Sequence, residues 1–120
     1  MGLYSLADVV VVSSLREGIS SAALEFVACQ QEQRRGVLIY SEFAGCADSF
    51  KGALIVNPYD TDKLAETMHL ALSMGETTKQ VRHHQLSRYV GTYTSAKWAK
   101  SMLSSLQHAV ESVRAISMCT

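Results

Sequence analysis

The apolar positions of this chain change period several times, and the changes mark out alternating strands and helices. Residues 8–13 hold the β-branched run Val9–Val12, a short stretch of the kind that forms a strand covered on both faces. A turn over residues 15–18 leads into a helix expected over residues 19–31, where Ile19, Ala22, Ala23, Phe26 and Val27 recur at helical spacing. Ser20 or Ser21 offers the hydroxyl that caps it. Residues 31–35 are polar and break the pattern. Residues 36–40 and 53–56 predict a second and a third strand, separated over residues 41–51 by a loop with a short helical turn. Asn57, Pro58 and Tyr59 stop the third strand, because proline has no amide to give to a ladder.

Beyond that stop, Asp60 or Thr61 caps a helix that runs to about Met74, with Leu64, Met68, Leu70 or Ala71, and Leu72 as its apolar face and Gly75 at its end. Residues 77–90 predict a polar, basic helix that Gly91 interrupts. Over residues 95–116, Ala96, Ala99, Leu103, Leu106, Val110 and Val113 form one helical stripe, expected to pack on a sheet or another domain. Strand and helix alternate, which indicates an α/β fold with a partial Rossmann-like parallel sheet and long C-terminal helices. A free-standing doubly wound domain has roughly five or six strands. With three, residues 1–120 read as a single partial domain, the C-terminal part of something larger.

Composition narrows the function. Hydrophobic residues make up 48% of the chain and charged residues 18%, a balance that suits a packed core and excludes a disordered chain. Eleven basic residues cancel eleven acidic ones, so no net field favours nucleic acid or an anionic membrane, and neither is expected as a partner. The strongest apolar run, Val9–Val12, is far short of the ~20 residues of a membrane helix. Cys29, Cys46 and Cys119 show no C-x-x-C spacing and are odd in number, which predicts reduced thiols and a cytoplasmic protein. His83 and His84 are adjacent, which points them about 100° apart on a helix, while His69 and His108 stand alone. No metal site is expected from that spacing.

Chemistry concentrates in SSLREGISSAALEFVACQ, residues 13–30. A buried strand ends, a glycine turn follows and a helix begins, and in open α/β sheets ligands bind at the carboxyl ends of strands. The first amides of a helix have no intrahelical partner and lie at its positive dipole end. Ile19, Ser20, Ser21 and Ala22 therefore offer N–H groups to a diphosphate, and Gly18 permits close backbone approach or a positive φ. Glu17 and Glu25 bracket this anion site. A carboxylate accepts paired hydrogen bonds from vicinal hydroxyls and suits a sugar or a ribose. Eight residues at helical rise span ~12 Å, about the reach from a hexose across a pyrophosphate to a ribose.

The words around this segment carry a resemblance. LYSLADVVVVSSLREG, EFVACQ, GVLIYSEFAG and NPYDTDKLAETMHLALSM stand in the order and spacing of the trehalose-6-phosphate synthases, over about residues 3–106. EFVACQ followed by SEFAG is more specific than the Glu-x7-Glu spacing, which recurs in glycosyltransferases with two Rossmann-like domains. The resemblance implies a retaining, UDP-glucose-dependent hexosyltransferase that transfers glucose to glucose 6-phosphate, with no metal and no other cofactor. It implies that Glu25 holds the ribose of UDP, and that Gly18 and the amides of Ser20, Ser21 and Ala22 lie at the diphosphate and glucose. Glu17 falls where the family has an aspartate contacting glucose hydroxyls. Where the family reads Asp-Gly-Met-Asn-Leu-Val, this chain reads Glu17-Gly18-Ile19-Ser20-Ser21-Ala22. The role of SEFAG, residues 41–45, is open between a wall of the nucleotide pocket and a structural turn.

The same resemblance places the glucose 6-phosphate site mostly in an N-terminal domain that this chain lacks, and implies that the Arg/Lys pair that neutralises the donor phosphates lies upstream of this segment. Arg16, Arg34 and Lys51 do not match that pair by motif. The isolated chain is therefore expected to be inactive. A second reading is a catalytically silent, synthase-like module in a complex with a trehalose-phosphate phosphatase or with copies of itself, favoured by the altered donor loop. A third, a glycogen synthase relative sharing Glu-x7-Glu, is disfavoured by EFVACQ and SEFAG.

Overall fold

The computed structural model describes residues 2–30 and 34–119, in two units, residues 1–90 and 91–120. The first unit is built on three parallel strands in the order β1-β2-β3, with β1 at Val9–Val12, β2 at Val37–Ser41 and β3 at Leu54–Val56. Val9 stands beside Val37 and Val12 beside Tyr40; Ile39 stands beside Leu54 and Ser41 beside Val56. Helix α1 (Gly2–Leu6), which the periodicity did not predict, precedes β1, and α2 (Ser21–Cys29) crosses from β1 to β2. Gln31, the expected last residue of that helix, lies outside the described residues.

Strand alternation divides the core in two. Leu38 and Tyr40 point to one face of β2, where they pack with Ala23, Phe26 and Val27 of α2 and with Phe50 and Leu86. Val37 and Ile39 point to the other face, with Val56 and with Ala71 of α3 (Thr61–Ser73). All five residues of β2 are buried, as a central parallel strand demands. Asp60 caps α3, its carboxylate accepting from the Lys63 N–H at 2.9 Å. The buried face of α3 matches the expected one at Leu64 and Ala71 and differs elsewhere. Thr67 and Ala71 are buried and Leu64 and Met74 half-buried, whereas Met68, Leu70 and Leu72 are exposed. Thr67 enters the core because its hydroxyl donates to the Lys63 carbonyl at 2.7 Å.

At the amino end of the sheet, Gln30 is a three-way clamp. Its Nε2 donates to the Tyr4 and Ala7 carbonyls, each at 2.7 Å, and its Oε1 accepts from the Gly36 N–H at 2.6 Å. The side chain is buried, and these bonds use both of its donors. Gly36 has to be glycine here. A Cβ would stand 2.7 Å from Phe26 Cζ and 2.8 Å from the Ala7 oxygen.

Helix α4 (Glu76–Thr92) runs straight through Gly91, where an interruption was expected. An interior glycine costs only ~1 kcal/mol against alanine, less than breaking the ladder. The stop comes at Thr94, whose hydroxyl accepts from the Lys97 N–H and opens α5 (Ser95–Met118). None of the residues of α5 is buried. Leu103, Leu106, Val110 and Val113 of its stripe are exposed. No helix among the described residues is long and apolar enough to cross a membrane.

Candidate functional site

The expected strand–turn–helix is present. Glu17 follows the carboxyl end of β1, and α2 begins four residues later at Ser21. The ~12 Å helical span between Glu17 and Glu25 therefore applies only to its second half, since residues 17–20 are not helical. Ser20 takes the N-cap position in extended backbone (φ −80, ψ 111), but no side chain caps the helix. The hydroxyl expected to satisfy one of the first amides does not do so.

What orders the turn is the loop after β2. Glu17 and Ala44 form a parallel bridge, and the Gly45 N–H donates to the carbonyls of Glu17 at 3.0 Å and Gly18 at 2.9 Å. A Cβ at Gly45 would meet the Gly18 backbone at 3.0–3.3 Å, so the approach needs a glycine. SEFAG is thus a brace for the Glu17–Gly18 turn. Its base is held by Ser41, whose Oγ accepts from the Phe43 N–H at 3.2 Å. Gly18 has no positive φ, and a Cβ there would meet nothing within 4 Å. Of its two expected uses, only an open backbone face survives.

The carboxylates differ. Glu17 is half-buried, and its Oε2 accepts from the Ser14 Oγ at 2.5 Å, which orients it. Glu25 lies one turn into α2, on the face opposite Ala23, Phe26 and Val27, and is exposed. Of the cations that the sequence offered, Arg34 donates to the Leu6 carbonyl at 2.7 Å and pairs with Asp8 at 3.7 Å, at the amino end of the sheet. It is not part of this turn.

Tyr40 was not singled out by its residue type. It ends the apolar run of β2, fully buried, and its ring meets Phe50 edge-on at 5.0 Å, with Phe50 meeting Tyr89 of α4 at 5.3 Å. Its hydroxyl has no hydrogen-bond partner. Burial pushes the phenol above its ordinary range. The nearby Ser20 N–H works against that shift, while Cys46, Glu17 and Tyr89 add to it. The only hint in the sequence is a polar-tipped residue closing an otherwise aliphatic strand. Among the described residues no group of three or more His, Cys, Asp or Glu side chains could hold a metal ion.

Strand, crossover helix and parallel partner, with a braced turn at the carboxyl end, define a partial Rossmann-like sheet. The profile of glycosyltransferase family 20 matches residues 1–108, and the chain belongs to that family. It is 44% identical over 106 residues to an α,α-trehalose-phosphate synthase (UDP-forming) 2 of Aspergillus fumigatus, covering 88% of this chain and 22% of the relative. The crystal structure of α,α-trehalose 6-phosphate synthase from Burkholderia multivorans superposes with a TM-score of 0.85 at 31% identity, over 96% of this chain and 24% of that one. A Burkholderia xenovorans α,α-trehalose-phosphate synthase (UDP-forming), solved in complex with glucose-6-phosphate, gives 0.81 at 38% identity, over 88% of this chain and 23% of that one. The chain thus spans about a fifth to a quarter of the length of these relatives.

Proposed function

We propose that this chain supplies the donor-binding part of a UDP-forming α,α-trehalose-phosphate synthase, which transfers glucose from UDP-glucose to glucose 6-phosphate with retention. The observation that carries the reading is the braced turn. Glu17 and Gly18 are fixed by Gly45 immediately before a helix whose first amides no side chain caps. Those amides, from Ser20, Ser21 and Ala22, take the diphosphate, and the helix dipole stabilises the charge that develops as UDP leaves. Glu25, exposed and free to accept two hydroxyls, takes the ribose. Glu17, oriented by Ser14, takes glucose hydroxyls. The open face of Gly18 lets the donor lie against the backbone.

In this reading glucose 6-phosphate is held mostly by an N-terminal domain outside this chain, and the phosphate-neutralising cations come from residues upstream of this segment. The reaction needs no metal and no further cofactor, and the enzyme works in the cytoplasm, alone, as a homo-oligomer or beside a trehalose-phosphate phosphatase. Calorimetry on the full open reading frame that carries this chain tests the donor site. Glu17→Ala should leave UDP affinity unchanged and weaken UDP-glucose, because its partner is the sugar. Binding of neither ligand by the wild type sinks the reading. Substituting Glu17→Asp, Ser20→Asn and Ser21→Leu together restores three of the family's positions. A gain in UDP release would mark the present loop as the decayed site of a silent module, and a loss would mark it as a working one.

A further inference from the structure

We propose that Ser14 sets the selectivity of the donor turn for its sugar, by locking the Glu17 carboxylate in one position so that a single arrangement of sugar hydroxyls fits it. This inference rests on the donor-site reading above. Ser14 stands just past the end of β1, half-buried, and its Oγ donates to Glu17 Oε2 at 2.5 Å, the short contact of a hydroxyl on a charged carboxylate. The backbone of Glu17 is tied independently, by the bridge to Ala44 and by the Gly45 N–H on its carbonyl at 3.0 Å. Both ends of the side chain are therefore pinned.

Glutamate is among the side chains with most rotamer freedom to lose. A loose carboxylate follows whichever hydroxyls a ligand brings and discriminates little between them. A fixed one leaves a misplaced hydroxyl unpaired, and that is the costly case. The bond with Ser14 uses one of about four lone-pair sites on the carboxylate and leaves the others to the sugar. Glu25 supplies the contrast, since it is exposed and has no such tie among the described residues. Its proposed partner, the ribose, is the same in every UDP-sugar and calls for no selection. The tie falls on the carboxylate that meets the part of the donor that varies.

Calorimetry on the full open reading frame tests this, with UDP, UDP-glucose and the epimers UDP-galactose and UDP-mannose as ligands. Ser14→Ala should weaken UDP-glucose roughly 3- to 10-fold, because the ligand then has to order the carboxylate itself, and should leave UDP unchanged. The epimers should lose less, so that the margin between UDP-glucose and at least one of them narrows. Ser14→Thr, which keeps the hydroxyl, should recover the margin, and Ser14→Ala added to Glu17→Ala should cost nothing further. Should Ser14→Ala not fold, Ser14→Cys, close in shape but a weak donor, is read by the same comparison. Equal weakening of UDP and UDP-glucose shows a hydroxyl that merely holds the turn, and overturns the proposal. So does a uniform loss across the sugars, no loss at all, or equal wild-type affinity for all of them. UDP-glucose affinity unchanged by Glu17→Ala, with UDP still bound, overturns the roles of Ser14 and Glu17 and leaves the diphosphate site standing. A wild type that binds none of the ligands overturns the donor site as a whole.

Discussion

The two ends of the sheet are built on opposite terms. At the amino end, Gln30 satisfies two carbonyls and an amide with one buried side chain, and Gly36 is pressed against Phe26 and Ala7 with no room to spare. At the carboxyl end, α2 starts without a side-chain cap, Tyr40 has a buried hydroxyl without a partner, and Gly18 faces open space. At the amino end one side chain closes three backbone groups at once, while the carboxyl end keeps polar groups in reserve around the turn. Groups in reserve are costly to a fold unless something else uses them, which is why the carboxyl end is read as the binding end.

The sharpest way to break this contrast is Gln30→Ala. It strands the Tyr4 and Ala7 carbonyls and the Gly36 N–H, and should cost about 3 kcal/mol or more in urea denaturation of this chain. It should do so without changing UDP affinity in the protein that remains folded. Glu25→Ala should behave in the opposite way. Its carboxylate is exposed, so stability should hardly move, while the loss of a charge-assisted ribose contact of ~1.5–3 kcal/mol weakens UDP roughly 10- to 150-fold in calorimetry. Equal effects of both substitutions on both readouts would erase the division between the ends.

Gly45→Ala sits between these cases. The new Cβ meets the Gly18 backbone at 3.0–3.3 Å, so the brace has to open by tenths of an ångström. A stability loss of about 1 kcal/mol should come with UDP-glucose affinity several-fold lower, because brace and binding turn share that contact. The smallest expected effect is a pH slope. Burial, and after it Arg35 and His84, hold the His83 imidazole below its ordinary 6.5. The unfolded chain then takes up the proton first as pH falls. Stability is full above about pH 6.5 and declines from there toward the lowered folded value. His83→Gln should flatten that part of a denaturation-versus-pH curve.

Much of this was legible in the pattern of residues. The runs over residues 8–13, 36–40 and 53–56 became the three strands with ends shifted by at most one position, because β-branched runs flanked by turn residues have few other uses. The turn at Glu17–Gly18 and the helix after it followed from one glycine and one change of period. What stayed hidden depended on contacts between distant residues. SEFAG could be recognised but not explained until Gly45 was seen to donate to Glu17 and Gly18. The buried face of α3 was placed only in part: Leu64 and Ala71 pack on the sheet as expected, but Thr67 joins them by hiding its hydroxyl in its own helix, which composition does not show. Gly91 carried too much weight as a breaker, since a helix absorbs one glycine. Tyr40 gave almost no signal, because an aromatic at the end of a strand is ordinary until its hydroxyl is found alone.

The Gln30 clamp has a kinetic side as well. It joins residues 26 and 23 positions apart, while the Gly45 brace ties the other end of the crossover. Helix α2 is therefore fastened at both ends by non-local contacts and cannot unzip from either one alone. Its amides at Phe26 and Val27 should exchange with solvent deuterium only when the whole first unit opens, so the helix reports the slowest and most cooperative opening in the unit.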